Sequence, residues 1–68
     1  MITEIGIIAG EIWHHLDEHG ESVFSRVVSG IGRPRDLALM SLGWLAREGH
    51  VLVREDGKDL RISLRPNT

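Results

Sequence analysis

Val51-Leu52-Val53-Arg54-Glu55-Asp56-Gly57-Lys58-Asp59-Leu60-Arg61-Ile62 is the stretch whose reading decides the fold. Two runs with apolar residues at every second position, Val51 and Val53 then Leu60 and Ile62, flank Asp56-Gly57, a dipeptide favoured in type I′ turns because both central residues there need positive φ. With those two as the loop, Glu55 faces Lys58, Arg54 faces Asp59, Val53 faces Leu60 and Val51 faces Ile62. Both polar pairs are then oppositely charged and both apolar pairs share one face, as the two-residue side-chain period requires. A one-residue slip would undo all four matches. The segment from Val51 to Thr68 is therefore expected to form a β-hairpin.

Three helical segments precede it. Ile5, Ile8, Ala9, Ile12 and Leu16 recur at helical spacing and predict a first helix from about Glu4 to His19. Thr3 is its expected N-cap, Ile2 and Ile7 its hydrophobic staple, and Gly20 its C-terminal stop. Gly6 and Gly10 each cost this helix roughly 1 kcal/mol relative to alanine. Either another element or subunit approaches the backbone there, or the helix start is simply tolerant. Ser22 to Phe24 favours a short strand that could pair with the hairpin. Ser25 is the expected cap of a brief second helix, from Arg26 to Ser29 or Gly30, with Val27 and Val28 inward. Gly30-Ile31-Gly32 reads as a tight turn. The third helix is expected to begin at Pro34, a favoured first helical residue, and to run to Arg47-Glu48 before stopping at Gly49.

Three helices followed by one ribbon is the order of a winged helix-turn-helix, an α+β architecture, here expected to occupy residues 1–68 as a single domain. A chain of this size buries only about 60% of its unfolded surface, so a monomer would be marginal. The chain has no cysteine, which excludes a disulfide framework and a thiolate zinc site and fits a reducing compartment. No basic N-terminal region precedes Glu4, as a signal peptide would need. No apolar run approaches the ~20 residues of a membrane span. A soluble, cytoplasmic protein is expected. The net charge is −2, unevenly distributed: residues 1–25 contain five acids and no Lys or Arg, whereas residues 26–68 contain eight bases and five acids. One acidic and one basic face are expected, the latter well short of a polybasic surface.

Gly6-Ile7-Ile8-Ala9-Gly10-Glu11-Ile12-Trp13 and Leu42-Gly43-Trp44-Leu45-Ala46-Arg47-Glu48-Gly49 resemble an uncharacterised prokaryotic family of small winged helix-turn-helix domains. The resemblance covers nearly the whole chain, and Leu-Gly-Trp-Leu-Ala-Arg-Glu is its most specific part. It implies a winged-helix fold and a homodimer, and no particular activity. Arg33-Pro34-Arg35 departs from it by standing where acidic and Ser residues are more usual, which makes the start of the third helix more basic.

In a helix-turn-helix the third helix enters the major groove, its N-terminal residues meet base edges, and nearby bases hold phosphates. Arg33 and Arg35 bracket that start. Asp36 and Ser41 are expected to face outward, and Arg26 lies on the preceding helix. In the wing, Arg54 and Lys58 face acids across the expected ladder, so Arg61 and Arg65 are the better phosphate ligands. The nucleic-acid candidates are therefore Arg26, Arg33, Arg35, Ser41, Arg61 and Arg65, with double-stranded DNA as the partner. The alternative for the Arg residues is a solvated turn.

The third helix carries more apolar residues than one face can use. If Ala38, Leu42, Leu45 and Ala46 face the core, Leu37, Met40 and Trp44 form a second stripe. Base edges are polar and hydrated, whereas Trp and Met are enriched at protein interfaces. That stripe either packs within the monomer or, as the small core favours, meets a partner or a second copy. Ile5 and Trp13 are its expected companions. The two functional expectations are a homodimeric DNA-binding regulator and, alternatively, an interaction module that binds no DNA.

His15 and His19, four apart with Glu11 a turn earlier, have ligand-like spacing, but no further ligand closes a site and no metal or other cofactor is expected. No nucleophile–base pair, catalytic carboxylate pair or phosphate loop can be assembled, and Gly30-Ile31-Gly32 lacks the strand context of a dinucleotide fingerprint. An enzyme is not expected, nor is a small-molecule substrate.

Overall fold

A computed structural model describes residues 1–66. Asn67 and Thr68, which the hairpin segment and the single-domain reading included, lie outside the described residues. The order is α1 (Ile2–His19), β1 (Ser22–Val23), α2 (Phe24–Ile31), α3 (Arg35–Arg47), β2 (Val51–Asp56) and β3 (Asp59–Leu64). The antiparallel sheet runs β1-β3-β2, so the last strand is its centre and β2 lies at one edge.

Helix α1 starts earlier than its apolar pattern predicts, with Met1 as N-cap and no side-chain cap bond. Thr3 is thus inside the helix rather than capping it. Ile2 and Ile7 are exposed, which removes the expected staple. The far end behaves as read: Gly20 takes φ 78° and its N–H donates to the Leu16 carbonyl at 2.8 Å. Helix α2 also starts early, at Phe24 with Val23 as cap. Ser25 lies within it and does not cap it. Its N–H and hydroxyl instead donate to the Asp59 carboxylate at 3.3 and 2.6 Å. An acid from the sheet thus satisfies first-turn donors that the helix's own sequence leaves open. Gly30 and Ile31 belong to the helix, not to a turn. Gly32, left-handed at φ 66°, ends it by donating to the Val28 carbonyl at 3.1 Å.

The hairpin forms, in a different register. Asp56 pairs with Asp59, Arg54 with Arg61, Val53 with Ile62 and Val51 with Leu64, leaving Gly57-Lys58 as the loop. Gly57 has φ 64°, and no described non-glycine residue has positive φ. A turn with one positive φ, at its first central residue, suits Gly there and follows the II′ pattern. A loop at Asp56-Gly57 would have placed an aspartate in the strained region as well. The shift is two residues, an even number, so Val51, Val53, Leu60 and Ile62 keep their common face. The expected pairs Glu55–Lys58 and Arg54–Asp59 are not formed.

The core joins every layer. Ile8, Ala9, Ile12 and Leu16 come from α1, Phe24 and Val27 from α2, Ala38, Leu42 and Leu45 from α3, Val51 from β2 and Ile62 from β3. Beyond Val51, strand β2 is exposed and reaches past the core as a wing. Gly6 and Gly10 face open space, with no atom within 4 Å of where a side chain would begin. Nothing within the described chain approaches that backbone. No helix among the described residues is long and apolar enough to cross a membrane.

Candidate functional site

Helix α3 holds the position of a groove-reading helix, and its faces decide what it can meet. Pro34 has ψ 138°, outside the helical region, so it is the cap and Arg35 the first helical residue. Ala38, Ser41, Leu42 and Leu45 turn into the core. Ser41, expected to face outward, is 0% exposed. Its hydroxyl donates to the Leu37 carbonyl four residues back at 2.8 Å, which satisfies the group and allows its burial. It cannot touch a nucleic acid.

The opposite face carries Asp36, Met40, Gly43 and Arg47, all exposed and spaced i, i+4, i+7, i+11. Leu39, Trp44 and Ala46 flank it, and Ala46 is outside the core, contrary to the sequence reading. Of the expected apolar stripe, Leu37 is half-buried and packs on the core. Met40 and Trp44 remain 48% and 47% exposed. The Trp44 ring lies 6.1 Å from that of His50. Trp13, on α1, is also exposed, edge-on to His14, and Ile5 is half-buried.

The basic candidates separate into engaged and free. Arg33 grips Glu11 with two parallel bonds, Nε to Oε1 and Nη2 to Oε2, each 2.8 Å. That bidentate pair ties the turn before α3 to α1, draws the Glu11 carboxyl below its usual range and occupies the guanidinium edge that would read a guanine. Arg61 donates to Asp56 at 2.8 and 3.0 Å and lies 3.5 Å from Glu21. It is therefore no freer than Arg54, which lies opposite it and reaches the same Glu21 at 3.2 Å. The sequence reading of Arg61 as the less neutralised base is corrected by this cluster. Two like charges meet across the ladder, and Glu21 with Asp56 offsets both. The guanidinium of Arg35 lies 5.0 Å from the Phe24 ring centroid, over an aromatic face. Arg26 and Arg65 are exposed and make no ion pair among the described residues, and the same holds for Arg47 and Lys58.

Residues 1–64 match the family described as Winged helix-turn-helix domain (DUF2582). The chain belongs to this winged helix-turn-helix family. It is also 34% identical over 67 residues to the uncharacterized protein MJ1608 of Methanocaldococcus jannaschii, covering 96% of each chain. In this winged helix-turn-helix domain the helix-turn-helix pair is α2 and α3, and the β2–β3 hairpin is the wing.

The ion pairs that set the electrostatics of the winged-helix surface were not legible beforehand. Glu11–Arg33 and Glu21–Arg54 join residues 22 and 33 positions apart, and the hydrogen bond from Ser25 to Asp59 joins residues 34 apart. A local pattern carries no signal for such pairs. Among the described residues no group of three His, Cys, Asp or Glu side chains is placed to hold a metal ion.

Proposed function

We propose that this winged-helix domain is a protein-interaction module that self-associates through the solvent face of α3. The observation that carries the reading is the half-exposure of Met40 and Trp44 on the helix that would otherwise enter a groove. Leu39 extends the same apolar surface. Removing such surface from water favours association, and a Trp at the centre of a contact is a frequent hot spot. The burial of Ser41 and the engagement of Arg33 and Arg61 support it from the other side, because they take three of six nominated groups away from DNA. The expected interface residues are Met40 and Trp44, with Trp13 as a second exposed anchor.

Sedimentation equilibrium from micromolar to millimolar chain is the test. A dimer is expected, and Met40→Glu or Trp44→Ala should return it to monomer with an unchanged far-ultraviolet CD spectrum. Truncation of an interface Trp costs about 2 kcal/mol or more, roughly thirtyfold in affinity. A wild-type monomer at every concentration refutes self-association.

A second reading, DNA binding, is favoured by Arg26, Arg35 and Arg65, which remain exposed with no ion pair among the described residues. It predicts duplex binding that weakens steeply with salt and falls on Arg35→Glu. Fluorescence anisotropy with mixed-sequence duplex at low salt decides, and absence of binding at tens of micromolar removes it.

A further inference from the structure

An open groove of about 970 Å³ lies between the C-terminal half of α1, strand β1, helix α2 and strand β3. Its volume falls within the range of small-ligand sites. No residue of α3 lines it, so it is separate from the apolar face described above. Its ionisable lining consists of Arg26, Arg61, His15, His19 and one acid, Glu21. That acid is already engaged by Arg54 and Arg61. Arg61 is itself offset by Glu21 and Asp56, so Arg26 is the lining cation left without an ion pair among the described residues, and concavity strengthens the field it presents to an anion.

The wall of the groove is built rather than incidental. The His15 imidazole sits against the backbone of Gly30 so closely that a Cβ there would lie 2.5 and 2.8 Å from two ring atoms. The His19 ring stacks beside it, with centroids 4.5 Å apart and a 40° tilt. Two imidazoles are thereby held together on one side. On the other, Arg26 has no ion pair and the Ser29 hydroxyl no hydrogen bond among the described residues. The hydroxyls of Ser22 and Ser25 already donate, to the Gly20 carbonyl and to Asp59.

The geometry points to a binding site for a small phosphate-bearing solute, held by the Arg26 guanidinium with the His15 and His19 rings and the Ser29 hydroxyl as further donors. Guanidinium, imidazole and hydroxyl donors lining one groove are the chemistry that recognises a phosphate monoester. Gly30 is a positioning residue in this arrangement, since its missing side chain seats His15.

The test is an NMR titration of the full chain with inorganic phosphate at neutral pH, against sodium chloride of matched ionic strength. It follows the His15 and His19 ring protons and the Arg26 Nε–H. Saturable shifts in phosphate alone are expected. Arg26→Gln should weaken binding about tenfold, the loss of one charge-assisted bond, while leaving the folded spectrum in place. Gly30→Ala, which displaces His15, should weaken it as well. Shifts that grow linearly without saturation, or that chloride reproduces, overturn the site, and so does unchanged affinity in Arg26→Gln. A short duplex separates the two sources of phosphate. If it displaces inorganic phosphate from these resonances, the groove is a nucleic-acid backbone contact and the small-solute site is refuted. If it leaves them unmoved, the small-solute site stands.

Discussion

Replacing Gly10 or Gly43 by alanine tests both the monomer's packing and the proposed interface. Each lies inside a helix, and around each no atom comes within 4 Å of the added methyl position. No steric term opposes the change within the chain, so helix propensity alone sets the sign. Each substitution is worth about 1 kcal/mol, and the pair about 2 kcal/mol because the sites share no contacts. For a domain of this size 1 kcal/mol moves the melting temperature by roughly 4–8 °C, so the double variant should melt roughly 8–16 °C higher. Urea unfolding followed by CD at low micromolar chain measures the monomer. At high concentration the two variants should diverge. Gly10→Ala keeps its gain, whereas Gly43→Ala adds a methyl to the face that carries Met40 and Trp44 and gives part of its gain back through weaker association. Destabilisation by either variant in dilute solution would mean that something packs on that helix backbone. An equal gain at all concentrations, with the dimer intact, would remove α3 from the interface.

The core, the turn and the ionisable groups give further expectations. Ile62 is fully buried on the central strand, and Ile62→Ala should cost about 2–5 kcal/mol, much of the roughly 3–10 kcal/mol available to a chain this short, read as a collapse of the urea midpoint. Gly57→Ala should cost about 1–2 kcal/mol because of its positive φ, while Lys58→Ala should leave thermal stability nearly unchanged and Asp56→Gly should lower it, since Asp56 is a strand residue with negative φ; stabilisation by Asp56→Gly would restore the Asp56-Gly57 loop. The Asp59 carboxyl is held below its usual range chiefly by the Ser25 hydroxyl, and that of Glu11 by Arg33. Burial pushes His15 below the ordinary imidazole value of 6.5. All three bind protons more readily when unfolded, so stability should fall on acidification, first from about pH 6.5 through His15 and again below about pH 4 through the carboxylates. Denaturation at a series of pH values should show both steps; His15→Gln should remove the upper one and Asp59→Asn blunt the lower, and stability that rises between pH 7 and 5 would contradict the assignment.

The errors in reading the sequence have physical causes that differ from element to element. The face of the hairpin was legible because parity survives any even shift, and four apolar residues hold it. The register was not, because two adjacent dipeptides both contain Gly57 and the choice depends on which residue must carry positive φ. Ser41 reads as an outward residue in the sequence because its hydroxyl is polar. In a helix it can donate to the carbonyl one turn back and be buried like an alanine. The state of the basic cluster is not written in the sequence, because the partners of Arg33 and Arg61 are set by how the elements pack.

By itself the sequence determined the elements, the α+β order and the helix stops at Gly20 and Gly49, since periodicity and glycine conformation act over a few residues. It also marked α3 as too apolar for one face. Only the tertiary structure decided which cations are spent and which are free. Glu11 on α1 reaches Arg33 in the turn before α3, and Glu21, just before β1, meets Arg54 on β2 and Arg61 on β3. Those distances depend on packing, as does the groove in which His15 rests on Gly30. Charge can be counted along a chain, but its effect depends on separations that exist only once the chain has folded.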